Sequence, residues 1–550
     1  MTRRTTTLSL ATAAVAAATL FSACGGATDS GSGDGARAGP PAGAEPTVTT
    51  PAASGTTDRV TWALTAEPAS LDWVLNADFF AGQVLANVCD GLVRQAPDFS
   101  LQPALAARFS NPTPTTWVYE IRDGATFHGG APLTANDVVF SLKRNIDPKV
   151  GSFWGQAFAN VKTIAKTGPS EVTVTLRRPD SMFNAYMSTP AGIIGSERTV
   201  KAEGKSYGTP EGSVDCVGPY KLAKWEKGQE IALAADDAYW DTALKPKAGE
   251  FVFQIIRDPA ARTNALLSGT VDGSWFVPPS ALARLNGSAT GRVFYGPSTQ
   301  GFNAIVLNTD GPLRDVRIRQ ALSMAIDREG IVRSVLAGAA QPSRAPAVPG
   351  TWGYAKETFR SAWDGLEVTQ RDVDAARRLV QEAGAPKQPI TISVTSRDAE
   401  VPVIGAAIQA AGEQIGLKVV QRQIPPDQYD AVYTSEDARK GIDLYLTAWG
   451  TDFADPLQIY EYFKSGNFYN FAGFSDPRLD ALLNDASRTT DEQRKAELVT
   501  GAQRIVVDEL LWIPLYAPYN TLFMNKRITG APASYVQLHY PWAAAIGSAG

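Results

Sequence analysis

Asp452 lies in the run Thr447-Ala448-Trp449-Gly450-Thr451-Asp452-Phe453-Ala454-Asp455-Pro456, whose two aspartates call for different chemistry. Asp455-Pro456 reads as a helix start, with Asp as the cap and Pro at the first helical position, where its missing N–H is no loss. Asp452 has no such structural task. It follows the β-rich run Ile442 to Trp449 and so falls in a strand-to-helix loop. A carboxylate beside a tryptophan suits capture of a cation such as an α-ammonium, through charge-assisted hydrogen bonds and the ring face. The alternative for Asp452 is a capping or surface carboxylate.

The rest of the chain offers little for catalysis. The only histidines are His128 and His539, and neither lies in a nucleophile signature. There is no G-x-S-x-G elbow, no H-E-x-x-H zinc pair and no Walker A sequence. The reading is therefore of a binding protein with no enzyme activity, no cofactor and no metal. Twelve tryptophans are available to wall an apolar pocket. Trp275, Trp352, Phe453 and Tyr462 join Trp449 as candidate pocket residues, although core packing is the first explanation of any single tryptophan. Trp449 is set apart by its place in the Asp452 loop.

The elements that must position these residues begin behind a leader. Arg3 and Arg4 precede an apolar, Ala-rich stretch from Leu8 to Phe21, then Ser22-Ala23-Cys24. This reads as a secretory signal over 1–23, too short to span a bilayer. A small residue before Cys24, with Gly25-Gly26 after it, resembles a bacterial lipobox, with Phe21 where Leu is commonest. The resemblance implies that Cys24 is lipidated and anchors the chain to the outer face of the cytoplasmic membrane without spanning it. Residues 24–57 are rich in Gly, Ala, Ser, Thr and Pro and cannot bury enough apolar surface to fold. They read as a flexible tether reaching about 30 Å on average. With Cys24 lipidated, Cys89 and Cys216 remain in an exported chain, and a disulfide between them is expected in place of two buried thiols.

The chain has 550 residues, too many for a single core. It is 44% hydrophobic and 19% charged, as soluble globular proteins are. A formal charge of −5, more negative once Arg3 and Arg4 are lost, argues against nucleic acid as a partner. Along the body the texture is mixed α/β. Glu171 to Leu176 alternates like a half-buried strand. Tyr220 to Trp225 and Gln229 to Ala235 form a hairpin around Lys227-Gly228. Arg314 to Leu336 is helical with a break near Asp327. Val373 to Ala383 is a helix closed by Gly384. Ile390 to Val394, Val403 to Ile415 and Leu417 to Arg422 read as a βαβ unit.

Several segments together carry a family resemblance. Trp117-Val118-Tyr119-Glu120-Ile121-Arg122-Asp123-Gly124-Ala125-Thr126-Phe127-His128-Gly129-Gly130 runs into Pro132-Leu133-Thr134-Ala135-Asn136-Asp137-Val138-Val139-Phe140-Ser141. Gly218-Pro219-Tyr220, Tyr239-Trp240, the stretch Leu313 to Arg328, and the A-x-x-L-x-x-E-A-G pattern of Ala375 to Gly384 follow. These resemble the extracellular solute-binding proteins of peptide and nickel ABC importers (family 5). The resemblance implies an α/β fold, a two-lobed clamshell of the type II periplasmic-binding-protein kind, with an extra sub-domain in the first lobe. Lobe 1 would take 58–300, with the sub-domain at about 91–204; lobe 2 would take 301–512; 513–550 would return to lobe 1. It also implies a monomer that closes on a ligand and docks on ABC permease subunits driven by separate ATPases.

The resemblance extends to the ligand. W-x-x-D-x-x-D-P resembles the segment with which peptide-binding members hold a peptide's N-terminus, at Asp452 here. In the dipeptide-binding branch an Arg in the loop after a preceding strand takes the C-terminal carboxylate. Arg397, after strand Ile390 to Val394, matches that place, and a planar guanidinium suits the task. The other reading of Arg397 is a solvated loop charge beside Asp398 and Glu400. Arg344, in the loop Gln341 to Pro349, is a further carboxylate partner to weigh. The function implied is capture of short peptides for import. The alternatives are a non-peptide solute on the same fold (a peptide-like metabolite, a sugar oligomer or a metal chelate) and a sensing role.

Overall fold

A computed structural model of the protein describes residues 39–40, 45–75, 78–366 and 370–550. The leader over 1–23 and Cys24 lie outside the described residues. Among the described residues no helix is long and apolar enough to cross a membrane.

Two large sheets organise the body. The first has seven strands in the order Gly291–Gly296, Asn520–Asn525, Gly273–Trp275, Thr57–Leu64, Ala248–Ile255, Glu230–Ala235, Tyr220–Glu226. Its centre is apolar on both faces: Val60, Trp62, Leu64, Phe251 and Phe253 are buried on one, and Ala63 and Val252 on the other. The second has six strands in the order Ala340–Pro342, Trp512–Pro518, Gly301–Val306, Leu444–Trp449, Ile390–Val394, Val419–Gln423. Its strands separate a core built on Leu446, Ile392 and Ile513 from another built on Ile305, Tyr445 and Trp512. Each sheet is the spine of one lobe.

The chain passes between the sheets twice. It leaves the first after Gly296 and enters the second at Gly301. It comes back between Pro518, the end of a second-sheet strand, and Asn520, the start of a first-sheet strand. The return was expected at 512–514, so this is a correction of several residues. The reason is packing: Ile513 and Leu515 are buried in the second core, and Ile513 pairs with Ala304 across the ladder. Arg328 reinforces this strand, donating from Nε to the Pro514 carbonyl at 2.7 Å and from Nη1 to the Ser323 carbonyl at 2.7 Å.

A four-stranded antiparallel sheet (Ala106–Thr113, Thr116–Ile121, Glu171–Leu176, Val161–Gly168) and the helix Ala135–Arg144 stand within the first half. Thr134 caps that helix in a capping box with Asp137. Glu171–Leu176 alternates half-buried and buried side chains as its sequence does. Val172, Val174, Val138 and Leu142 pack into the same continuous core as the seven-stranded sheet. The extra sub-domain thus shares lobe 1's interior and has no separate core.

One further sequence expectation holds, the break near Asp327, and another needs adjustment. The helical region from Arg314 to Leu336 is two helices, Val316–Ala325 and Arg328–Ser334, because Asp327 caps the second by accepting from Gly330 N. The stretch 45–57, read as the end of a tether, lies along lobe 1. Thr47 N donates to Tyr295 O at 2.8 Å, Thr50 N to Ala531 O at 2.9 Å and Ser54 N to Ser548 O at 2.9 Å. These small residues bury little apolar area; their backbone pairs with the segments that close the chain.

Cys89, at the end of helix Phe79–Val88, is bonded to Cys216, with Cα atoms 5.0 Å apart and a sequence separation of 127. A cross-link over so long a loop restricts the unfolded chain and is worth about 3–5 kcal/mol. The paired variant Cys89→Ser/Cys216→Ser should lose that much in chemical unfolding, and wild-type protein treated with reductant should match it. Two thiols titrating in unreduced, denatured wild type would contradict the bond.

Candidate functional site

Strand Leu444–Trp449 ends at the edge of the lobe 2 core, and the loop after it is pinned at its far end. Asp455 Oδ1 accepts from Leu457 N at 3.0 Å, starting the short helix Leu457–Tyr460. Its other oxygen is ion-paired with Lys495, and Tyr354 Oη donates to Asp455 at 3.0 Å. Both members of this pair are buried. Asp455 therefore has a structural role at the helix start, one residue out of the expected frame: Pro456 stands at the N-cap and Asp455 just before it.

That pinning brings Gln458 back under Asp452. Asp452 N donates to Gln458 Oε1 at 2.8 Å, and Gln458 Nε2 donates to Asp452 Oδ2 at 2.6 Å. The amide thus clasps residue 452 by backbone and side chain at once. Gln458 Nε2 also lies 3.5 Å from Tyr186 Oη. Tyr186 ends the helix Phe183–Tyr186 of lobe 1, so the contact bridges the lobes. Phe453, 2% exposed, meets the Tyr186 ring edge to face at 4.9 Å. Nearby, Ser181 N donates to Ser487 O at 2.8 Å and Ser181 Oγ to Ala486 O at 3.1 Å, closing the same seam.

The surroundings of Asp452 are aromatic. No salt bridge to it occurs among the described residues. Burial pushes its carboxyl above the usual carboxylate range, with the Gln458 hydrogen bond opposing. The phenols of Tyr186, Tyr462, Tyr469 and Tyr535 are raised, first by burial and also by the Asp452 charge. Trp449 stands at the centre of a ring cluster, with Tyr433, Tyr462, Tyr469 and Trp512 at 5.0, 5.1, 5.2 and 5.1 Å. On the lobe 1 side Tyr535 packs with Phe99 and with Ala454 of the loop, and Phe276 meets the Tyr535 ring at 6.1 Å. Phe99 and Phe276 hold left-handed backbone, φ 70 and 56. Bulky residues adopt that conformation at a cost, which functional sites commonly carry. Thr451 Oγ1, beside Asp452, is buried without a protein partner. A half-buried carboxylate among phenols offers a charge, π faces and hydroxyl groups to a cation.

Other sequence candidates fall elsewhere. Trp275 is 1% exposed and sits in the lobe 1 core between Trp62 at 5.9 Å and Trp542 at 5.6 Å, so its role as a pocket residue is corrected. Trp352 packs on Phe359 and Trp363 inside lobe 2 and is corrected likewise. Arg344 donates from Nη1 to the carbonyls of Asp364 at 3.1 Å and Leu366 at 3.3 Å, closing the end of helix Lys356–Asp364. That use of its charge replaces the expected carboxylate role. Arg397 donates from Nη1 to both Asp430 oxygens at 2.8 Å and from Nε to Asp398 Oδ2 at 3.4 Å. Tyr462 stands in the Trp449 cluster.

Sequence reasoning missed Gln458, Tyr186, Tyr469, Tyr535 and Phe276. Only Gln458 had an available signal: it lies one helical turn past the Asp455-Pro456 start, where a side chain can reach back over the cap.

The family described as "Bacterial extracellular solute-binding proteins, family 5 Middle" matches residues 100–471. The "Dipeptide-binding protein DppE" of Bacillus subtilis (strain 168) is 26% identical, covering 86% of this chain and 90% of that protein. The fold is that of two-lobed binding proteins. A substrate-binding protein of an ABC transporter from Listeria monocytogenes, CtaP, superposes with a TM-score of 0.79 at 21% identity, over 90% of this chain and 100% of that one. The periplasmic binding protein DppA from Helicobacter pylori, solved with the peptide STSA, gives 0.76 at 20% identity, over 90% and 99%.

Asp452→Asn keeps an acceptor for Gln458 and removes the buried charge. Because the native carboxyl is raised, its contribution to stability is present below the unfolded pKa and is lost as pH rises through the native one. The ligand-free Asn variant should be more stable than wild type near neutral pH by about 1–2 kcal/mol, a gap that closes on acidification. Thermal unfolding across a pH series measures this. A gap that does not change with pH would contradict the burial of an ionised Asp452.

Proposed function

The chain belongs to the bacterial extracellular solute-binding proteins of family 5, binding proteins and not enzymes, and we propose that it captures short peptides between its lobes. The observation that carries this is the Asp452 carboxylate, clasped by Gln458 at the seam, half-buried among tyrosines and without a salt bridge among the described residues. Burying such a charge alone is costly, and an incoming ammonium offsets that cost. A peptide's α-ammonium supplies three donors to Asp452 and a positive charge to the rings of Trp449 and the nearby tyrosines. Phe453 carries the loop onto lobe 1, so ligand and loop reach Tyr186 together.

In this reading the ligand binds the open form through lobe 2 and favours the closed form by meeting Tyr186 and Tyr535 as well. Only that additional contact shifts the population. The protein acts as a monomer, anchored at the outer face of the membrane through Cys24, and the closed form hands its cargo to an ABC permease served by separate ATPases. The disulfide suits an exported receptor. The printed name of the Bacillus subtilis relative, a dipeptide-binding protein, and the peptide bound in the Helicobacter pylori structure support the ligand class.

The test is native mass spectrometry of the soluble body, followed by denaturing mass spectrometry of whatever is released. A ladder of small peptides is expected. A single non-peptide mass would replace peptides with another solute. Asp452→Ala should then weaken binding of a released peptide by about tenfold or more in calorimetry, the scale for losing one partner of a buried charge pair. N-acetylation of the peptide should do the same. Undiminished affinity in both would remove Asp452 as the anchor.

A further inference from the structure

The hairpin between strands Val93–Gln95 and Leu101–Pro103 breaks a local rule at its tip, Ala96-Pro97-Asp98-Phe99-Ser100. Phe99 N donates to Ala96 O at 2.8 Å, and Ala96 N donates to Ser100 O at 2.8 Å. Asp98 Oδ1 accepts from Ser100 N at 3.0 Å and from Ser100 Oγ at 2.6 Å. Proline suits the second position of such a turn, and the position after Asp98 takes left-handed backbone. Glycine adopts it freely. This chain places phenylalanine there, at φ 70. A bulky residue keeps that conformation only where its surroundings over-determine it.

The hairpin supplies little of that support. Leu101, Gln102 and Pro103 are exposed, as is Asp98. Phe99 is nevertheless 8% exposed. Its cover is an apolar cluster shared by Tyr535 and Val536 of lobe 1 and Ala454 of lobe 2. Ala454 lies two residues after Asp452, so the cluster reaches the Asp452 loop from across the seam. Lobe 2 braces that point. Gly353 N donates to Ala454 O at 3.1 Å, and a Cβ on Gly353 would lie 2.3 Å from that oxygen. Three residues on, Lys356 opens the helix Lys356–Asp364. Asp98 is held below the usual carboxylate range first by its hydrogen bonds from Ser100 and further by Lys356. One hairpin tip of lobe 1 therefore meets lobe 2 with an apolar ring and a charge.

We propose that Phe99 is a latch for closure: its ring gains cover from the Ala454 loop only when the lobes meet, and so it stabilises the closed form and seats the Asp452 loop. Phe99 is then a positioning residue, acting through Ala454. The left-handed backbone belongs to the turn and is present whether the lobes are open or closed, whereas the cover from lobe 2 is gained on closure alone. A glycine at the tip would satisfy the turn and forfeit the contact. The inference rests on the two-lobed fold and on no particular ligand, so it stands or falls apart from the peptide reading.

The test reads closure without a ligand. Ser181 N lies 2.8 Å from Ser487 O across the seam. A chain with Cys24→Ala carries the reporter pair Ser181→Cys and Ser487→Cys, and its rate of cross-linking under oxidised glutathione follows the closed population. Phe99→Asn and Phe99→Gly, both suited to left-handed backbone, are compared with the parent chain for that rate and for the urea midpoint of the ligand-free protein. The cross-linking rate is expected to fall about threefold or more in both variants, the scale of losing part of a buried aromatic's cover. The urea midpoint is expected to hold or rise, because the strained backbone is relieved. A smaller fall in the rate would overturn the latch. A midpoint lowered as a core truncation lowers it would also overturn it, making Phe99 a core residue of lobe 1. No cross-link in the parent chain would overturn the closed seam on which the proposal stands.

Discussion

A carboxylate held away from bulk water without a cation is expensive, and the architecture around Asp452 is arranged to support one. The cost is met locally by Gln458, which occupies the residue's backbone N–H and one carboxylate oxygen. Gln458 is in turn fixed by the helix start at Asp455, and Asp455 by Lys495 of the long helix Glu492–Glu509. The two aspartates of one loop have opposite fates. Asp455 has its counter-ion built in and gives rigidity. Asp452 has no salt bridge among the described residues, and the proposed ligand role rests on that difference.

The second constraint is that two lobes share this site while being joined by only two passages of chain. Gly296 marks the first passage: a Cβ there would lie 1.8 Å from the Ala533 carbonyl oxygen, so only glycine admits that close approach. The segment it touches continues into Tyr535, one of the phenols raised by the Asp452 charge. Gly301 opens the second sheet opposite Trp449. The first crossing therefore runs between two aromatic groups near Asp452. Rotation about 297–300 and Tyr519 would move Tyr186 and Tyr535 relative to Asp452 while leaving the Gln458 clasp whole, because that clasp belongs to lobe 2 alone.

Much of this was legible in the sequence because it depends on neighbours along the chain. The Asp455-Pro456 start, the capped helix at Thr134, the alternating strand Glu171–Leu176, the hairpin at Gly228 and the helix ended by Gly384 each arise from local rules of capping, period and backbone freedom. The candidate tryptophans were not legible in this way. Trp275 and Trp352 differ from Trp449 in no local feature that separates core from site, since burial depends on which strands come to lie beside them. The arginines failed similarly. Arg397 has Asp398 beside it in sequence, but its principal partner, Asp430, is distant in sequence and comes near only when the second sheet is assembled.

The sequence by itself determined the α/β character, the family pattern and the singular position of Asp452, because cap, turn and period signals act over a few residues. Tertiary structure decided what surrounds that carboxylate. Tyr186 and Tyr535 come from lobe 1, hundreds of residues or dozens of residues away in the chain, and reach Asp452 only because both sheets share a seam. It also decided which cations remain free. Charge pairing depends on distances of a few ångströms between groups from separate elements, and no linear pattern encodes those distances.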